Sequence, residues 1–227
     1  MNLQKHKALF LLAVGSLVLL VATPALQKVL VYPQTEFFTE LWLLGPHHTA
    51  DSFPYNITSN HSYTVFLGAA NNLGSVAYYV VEVKFRNQTQ SAPDSFNRTH
   101  SSLDSLYSVN FFIPDKGTWE MPLTFSFNYS FEEVTRTVYR NISSSDPDGD
   151  VTYRLVEENM TLERVSFNYL RLNDAIVGLQ GYSSDFDPQK REFFGNLVCE
   201  LWIYDEQTNS YVYHNRYVDL KFNMTKA

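Results

Sequence analysis

The sequence predicts an all-β domain, a β-sandwich, preceded by one N-terminal apolar helix. Three observations carry this. From about residue 35 onward, apolar and polar residues alternate with period two, in short runs rich in β-branched and aromatic side chains. Turn-forming clusters separate those runs: Asn71-Asn72-Leu73-Gly74, Pro114-Asp115-Lys116-Gly117, Asp146-Pro147-Asp148-Gly149, and Asp205 to Asn209. No window after residue 31 has the apolar stripe of an amphipathic helix.

Taken in order, residues 1–7 carry Lys5 and Lys7 and no acid, and residues 8–27 carry no charge at all. A helix rises 1.5 Å per residue, so twenty such residues span about 30 Å, the thickness of the hydrocarbon core of a bilayer. The leading lysines favour a cytoplasmic N-terminus. Three readings fit this segment: an uncleaved signal anchor, a signal peptide cleaved near Thr23-Pro24-Ala25, and a pilin-type leader cut near Lys7-Ala8. All three export the rest of the chain. The expected organisation is therefore a signal anchor or transmembrane helix over 1–31 and an extracellular sandwich over 32–227. A possible sub-boundary lies near 143–150.

Nine runs alternate: 61–70, 76–85, 106–113, 122–131, 134–142, 150–156, 164–172, 196–204 and 211–222. Nine or ten short strands at this spacing read as a sandwich. In the last hairpin region Cys199 alternates with Leu197, Leu201 and Ile203, which places it in the core as a small hydrophobe. Tyr204, Tyr211, Tyr213 and Tyr217 cluster there too, as cross-strand pairs or as a recognition surface.

Composition excludes several classes. One Cys in 227 residues rules out a disulfide scaffold and a Cys-based zinc site. A hydrophobic fraction of 44% argues against disorder. The net charge of −7 argues against a nucleic-acid partner. Lys5, Lys7 and Lys28 all precede the first acid, Glu36, so the remainder carries 14 bases against 24 acids, a net −10.

The strongest functional signal is the motif Asn-X-Ser/Thr, which occurs eight times, at Asn56, Asn60, Asn87, Asn97, Asn128, Asn141, Asn159 and Asn223. With 17 Asn and 36 Ser plus Thr, random placement gives roughly 2.7 such sequons, so the excess is about threefold. A glycan on the asparagine amide requires that position to face solvent. Asn87, Asn97 and Asn141 are expected at strand ends or in loops. Asn128, inside the alternating run Leu123-Thr124-Phe125-Ser126-Phe127-Asn128, is expected on the outward face of a strand.

The run from Phe37 to Pro46, containing Thr39-Glu40-Leu41-Trp42-Leu43-Leu44-Gly45-Pro46, followed by Ala50-Asp51-Ser52-Phe53-Pro54-Tyr55-Asn56-Ile57-Thr58, resembles the opening of the ectodomain in an uncharacterised, mainly archaeal family of membrane-anchored proteins, a domain of unknown function. Further resemblances are the strand Thr64 to Asn71, the strand Tyr79 to Val83, the step Thr118-Trp119-Glu120 and the closing hairpin at 193–222. Residues 130–192 depart from the family pattern. Many members carry several N-terminal helices, whereas this chain has one. The resemblance implies an immunoglobulin-like ectodomain at an archaeal cell surface and no known reaction.

Candidate chemistry is sparse. Asp146, Asp148 and Asp150 alternate in a tight turn, a pattern of hard oxygen ligands that suits calcium. The turn also resembles calcium-binding turns of cadherin-like sandwich domains. Position six of a helix-loop-helix calcium site requires Gly, and Val151 stands there. A solvated acidic turn is the competing reading. His47 and His48 point to opposite faces if extended and do not share an ion. Asp185 and Asp187 are expected to solvate a loop. No nucleophile elbow or phosphate loop is present. The expectation is a membrane-anchored, N-glycosylated cell-surface protein without catalytic activity, in contact with other envelope or surface proteins. A filament subunit and a carbohydrate-binding or enzyme-accessory module are the alternatives.

Overall fold

The computed structural model describes residues 3–30, 37–145 and 151–226. The chain divides into two compact units, 1–38 and 39–227. The first holds one helix, α1 (Leu3–Leu30). From Phe10 to Val21 its large apolar side chains are exposed on every side, so it has no polar face. Among the described residues, no helix is long and apolar enough to cross a membrane. Side chains 8, 9 and 24–30, needed to complete the expected apolar segment, lie outside the described residues.

The second unit is built from two sheets. Its strands are β1 (Phe38–Leu44), β2 (Asn56–Thr58), β3 (Tyr63–Asn72), β4 (Ala77–Arg86), β5 (Tyr107–Ile113), β6 (Gly117–Ser145), β7 (Val151–Leu172), β8 (Ala175–Gly178), β9 (Ser183–Asp185), β10 (Phe194–Asp205) and β11 (Ser210–Thr225). The first sheet runs β1-β3-β6-β7-β8, with β9 also on β7; the second runs β2-β11-β10-β4-β5. The pairs β3·β6, β6·β7, β4·β5, β4·β10 and β10·β11 are antiparallel, and β2 meets β11 in parallel.

Alternation sends one face of each sheet inward. Val65 and Leu67 of β3, with Leu123, Phe125 and Phe127 of β6, meet Val81, Val83 and Phe85 of β4, Leu197, Cys199 and Leu201 of β10, and Leu220 and Phe222 of β11. The rings interlock across the gap: Phe85 lies 5.2 Å from Phe127 and 4.9 Å from Phe167, and Phe127 lies 5.3 Å from Phe222. Each such buried side chain contributes about 1.5–3 kcal/mol. Cys199 is wholly buried, as its alternation requires, and burial pushes its thiol up to about 12.

A polar link also joins the two sheets. His214 Nε2 lies 2.8 Å from Thr39 Oγ1, Thr39 Oγ1 lies 3.1 Å from Tyr79 OH, and Tyr79 OH donates to Asn71 Oδ1 at 3.2 Å. The Asn71 amide nitrogen donates to the carbonyls of Ser75 and Ile113, which fixes its oxygen toward Tyr79. Because Tyr79 gives its only proton to Asn71, Thr39 must donate to Tyr79 and His214 must donate from Nε2. Burial, and next the neighbouring Arg216, hold the His214 pKa below its ordinary value.

Two pairs of expected short strands are each one long strand. The runs 122–131 and 134–142 fuse into β6, and 150–156 and 164–172 fuse into β7. The acids Glu132 and Glu133 interrupt the apolar pattern, but from there outward β6 and β7 form a two-stranded ribbon whose described side chains, 132–139 and 154–163, are exposed or half-buried on both faces. Charges there need no burial and so do not end the strand. Four strands lie outside the nine expected runs: β2, β8 and β9, whose three or four residues carry too little periodicity, and β1, which ends in the unbroken apolar run Leu41–Leu44 instead of alternating.

One end of the sandwich gathers three turns: 73–76 between β3 and β4, 114–116 between β5 and β6, and 206–209 between β10 and β11. Asn71 pairs with Gly117 and Ala77 with Ile113, which puts the first two side by side. Gly74, Lys116 and Asn209 supply the positive φ values that these tight reversals need. Chain entry at Thr39 is at the same end, beside Tyr79 and Asn71.

Candidate functional site: the outer face of the second sheet

The outer face of β4 and β10 holds a buried ion pair. Glu82 and Lys84 alternate outward from β4, and Glu200 and Trp202 outward from β10, with Glu82 directly opposite Glu200. Lys84 Nζ lies 2.8 Å from Glu200 Oε2 and 3.1 Å from Glu82 Oε2. Although these side chains point away from the core, Glu200 is 0% and Lys84 3% exposed. The cover is the 87–106 segment, whose Ser101 N–H donates to Glu200 Oε1 at 2.7 Å. His100 lies 5.0 Å from the Trp202 ring and 5.9 Å from the Tyr213 ring, and the Lys84 ammonium sits 5.7 Å from the Trp202 centroid.

The chemistry of this cluster is that of a clamp. Both Glu200 oxygens are bonded, and the Lys84 side chain sits between the carboxylates of Glu200 and Glu82. Burial, and after it the charge of Glu200, pushes the Tyr213 phenol up to about 12, so it stays neutral. Ser101 Oγ, Trp202 Nε1 and Tyr213 OH are buried with no hydrogen-bond partner. The clamp fastens the 87–106 segment to the sheet.

Nearer the turn-rich end, the same face opens into an aromatic row. Tyr78 stacks on Phe112 at 4.1 Å and 16°, and Tyr204 meets Tyr211 edge-on at 5.5 Å. Tyr78 lies 5.7 Å from Tyr211, which joins the two pairs. They border an open groove of about 880 Å³ lined by Leu73, Val76, Tyr78, Phe112, Ile203 and Tyr204. Phe112 and Val76 are each about two-thirds exposed. Of the four tyrosines singled out in the sequence, Tyr204 and Tyr211 join this row, Tyr213 joins the clamp, and Tyr217 lies opposite Glu200. Tyr78 and Phe112 were missed because they come from strands distant in sequence; no local signal brings them to Tyr204.

None of the seven described sequon asparagines is buried. Asn56, Asn60, Asn97 and Asn159 are exposed, and Asn87, Asn128 and Asn223 are half-buried. Asn87 follows β4 and Asn97 lies in the 87–106 loop, as expected. Asn128 projects opposite the buried Phe127 and Tyr129, beside an irregularity in β6. Asn141 is not in a loop: its backbone pairs with Leu155 in the ribbon, and its side chain lies outside the described residues. The candidate calcium ligands Asp146, Asp148 and Asp150 also lie outside them. Among the described residues, no group of three or more His, Cys, Asp and Glu side chains could hold a metal ion. His48 instead stacks on Phe66 at 3.7 Å, and its Nδ1 lies 2.8 Å from Glu120 Oε1.

Asp185 does not simply solvate a loop. It sits on β9 and binds both strands of the ribbon at its root, with Arg136 Nη2 at 2.8 Å and Arg164 Nε at 2.7 Å. Sequence spacing hides this, since Arg136, Arg164 and Asp185 meet only through strand pairing. Asp187 accepts from the backbone N–H groups of Gln189 and Lys190 and so shapes its own turn.

A mostly β domain of two sheets is the class of protein that these observations define. The chain matches the family described as a domain of unknown function, DUF1616, over residues 33–160, and it belongs to that family. The match takes in the opening blocks and the ribbon as far as Met160, so the departure from the family pattern expected over 130–192 does not hold for 130–160, and the closing hairpin at 193–222 lies beyond it. No curated protein matches the chain.

Proposed function

We propose that this is an exported, N-terminally anchored, N-glycosylated surface protein with a structural or interactive role and no catalytic activity. It belongs at an archaeal cell surface, with the C-terminal domain outside and an immunoglobulin-like sandwich as that domain. One observation carries the reading. None of the eight sequons falls in the three turns of the turn-rich end. Asn56, Asn60, Asn87 and Asn223 lie instead near the far ends of β2, β3, β4 and β11, Asn128 lies within β6 against Asn60, Asn97 lies in the 87–106 loop, and Asn141 and Asn159 lie on the ribbon. Chance enrichment of Asn in turns would have populated both ends.

The sugar-free aromatic row is the surface left for another envelope protein, and sugars on the ribbon block pairing along its open edges. The uncharged segment 8–27 behind Lys5 and Lys7 supports the anchor. Intact mass and N-terminal sequencing of membrane-extracted native protein test the reading. Glycan mass on a chain that begins at Met1 is expected. A soluble, glycan-free protein in the cytoplasm would overturn it.

A second reading is a filament subunit. The ribbon favours it, because between Glu133 and Glu163 β6 and β7 pair only with each other among the described residues, leaving outer edges open to strand addition. A mature N-terminus at Ala8 or Leu9, in protein recovered from surface fibres, would select it.

A further inference from the structure

The sequons are not equivalent, and two pairs of them touch. Asn223 Nδ2 donates to Asn56 Oδ1 at 3.0 Å, where β11 and β2 lie side by side with these two residues in register. Asn128 Nδ2 donates to Asn60 Oδ1 at 2.8 Å, although 68 residues separate them. In each pair one member is exposed with no bond from its own Nδ2 (Asn56, Asn60), and the other is half-buried with both ends of its amide engaged. The Asn223 oxygen accepts from Phe193 N–H at 2.9 Å, and the Asn128 oxygen accepts from Asn168 Nδ2 at 2.7 Å.

Asn87 is held in the same way without a sequon partner. Its Nδ2 donates to the Ser183 carbonyl at 2.8 Å, and its oxygen accepts from both Thr89 N–H and Thr89 Oγ1, the hydroxyl of its own sequon. The Asn223 sequon hydroxyl is likewise engaged, Thr225 Oγ1 donating to the Ile57 carbonyl at 3.1 Å. Asn159 and Asn97 differ. Both are exposed; Asn159 uses only its oxygen, for Thr137 Oγ1, and Asn97 donates only within its own turn, to Asp94.

We propose that the folded domain carries glycans at Asn56, Asn60, Asn97 and Asn159 and excludes them at Asn87, Asn128 and Asn223. This rests on the glycosylated reading above and says which sites that reading uses. In the transfer, the acceptor Nδ2 forms a bond to the anomeric carbon of a lipid-phosphate-linked oligosaccharide. That carbon's bond to the phosphate oxygen breaks, the lipid phosphate leaves, and the amide gives up one proton to a base of the transferase. A sugar ring on Nδ2 of Asn128 or Asn223 would take the place of one of its two hydrogens and crowd the partner asparagine that this nitrogen touches at 2.8 or 3.0 Å. On Asn87 it would crowd the Ser183 carbonyl, and the contact that this bond makes between β9 and the residue after β4 would open. On Asn56, Asn60 and Asn159 no bond from the acceptor nitrogen is lost, and on Asn97 the one bond at stake, to Asp94 Oδ2 at 2.6 Å, lies within its own exposed turn and holds no second element.

Site-by-site glycopeptide mapping of the full chain, produced in an exporting host that glycosylates, tests this. Near-complete occupancy is expected at Asn56, Asn60, Asn97 and Asn159, and occupancy below about a tenth at the other three. Half occupancy or more at Asn87, Asn128 or Asn223 in folded protein overturns the proposal while leaving the glycosylated reading standing. Bare asparagines at all seven positions overturn that reading, and this proposal with it.

A variant separates exclusion by the partner from simple inaccessibility. Asn60 has φ of 62°, so Asn60→Gly suits the backbone while removing both amide and sequon. Occupancy at Asn128 is expected to rise several-fold in this variant. An Asn128 that stays bare would refute pair exclusion there.

Discussion

The Lys84–Glu200 pair allows the sharpest stability test. Replacing Glu200 with alanine leaves a lysine that is 3% exposed with only Glu82, at 3.1 Å, as a counter-charge. Breaking a buried pair from one side costs about 3–5 kcal/mol. The remaining Glu82 contact puts this case at the lower figure, about 3 kcal/mol. The Ser101 N–H loses its acceptor as well, which adds about 1 kcal/mol. A total near 4 kcal/mol lowers the melting temperature of a domain this size by roughly 8–16 °C. The double variant Lys84→Met with Glu200→Leu removes both charges and fills similar volume, so it is expected within about 1.5 kcal/mol of the parent. Urea unfolding of the full chain in detergent, followed by tryptophan fluorescence, measures all of these, and Trp202 reports directly because it borders the clamp. A loss below about 1 kcal/mol for Glu200→Ala, or a double variant no more stable than that single one, would refute a buried and mutually dependent pair.

Three further outcomes are expected. His214 is held below its ordinary pKa in the folded protein, so the unfolded chain binds more protons just under pH 6.5; the stability it contributes is present above that pH and is lost as pH falls through the folded value. A His214→Gln variant is expected to flatten that part of the stability profile, and an unchanged slope would count against the neutral Nε2–H donor. At Gly68 a Cβ would stand 2.3 Å from the Trp42 indole, so Gly68→Ala is expected to cost about 1–3 kcal/mol by overpacking, read as a drop in the urea midpoint. Asp185→Asn weakens the hold on Arg136 and Arg164, and limited proteolysis is expected to cut between residues 133 and 163 faster while the sandwich core stays resistant.

Much of the sandwich was legible in advance, because burial on one face of a sheet imposes a period of two that the sequence must carry. Tyr79, Val81, Val83 and Phe85 point inward as that period requires, and Cys199 follows Leu197 into the core. The ribbon was not legible as a unit. Its two faces are both wet, so Glu132 and Glu133 could interrupt the pattern without interrupting the strand. The clamp was equally hidden. Glu82, Lys84 and Glu200 look like the polar half of alternating strands, and nothing local says that Ser101 returns to cover them. The aromatic row was half visible, through Tyr204 and Tyr211 on one hairpin. Its other half, Tyr78 and Phe112, needed the pairing of β4 with β5 and with β10.

What the sequence by itself determined is local: an uncharged N-terminal segment, the alternation that makes sheets, the turn residues that end them, and eight asparagines in sequons. These follow from short-range periodicity and from tripeptide chemistry, which survive without knowledge of the fold. Only the tertiary structure decided which sequons touch, which end of the sandwich they leave bare, and which charges are buried. Each of these depends on strand order and register, and register brings Asn56 beside Asn223 and Lys84 beside Glu200 across more than a hundred residues of chain. Contacts at that separation are set by how the sheets assemble, not by any pattern a local window can hold.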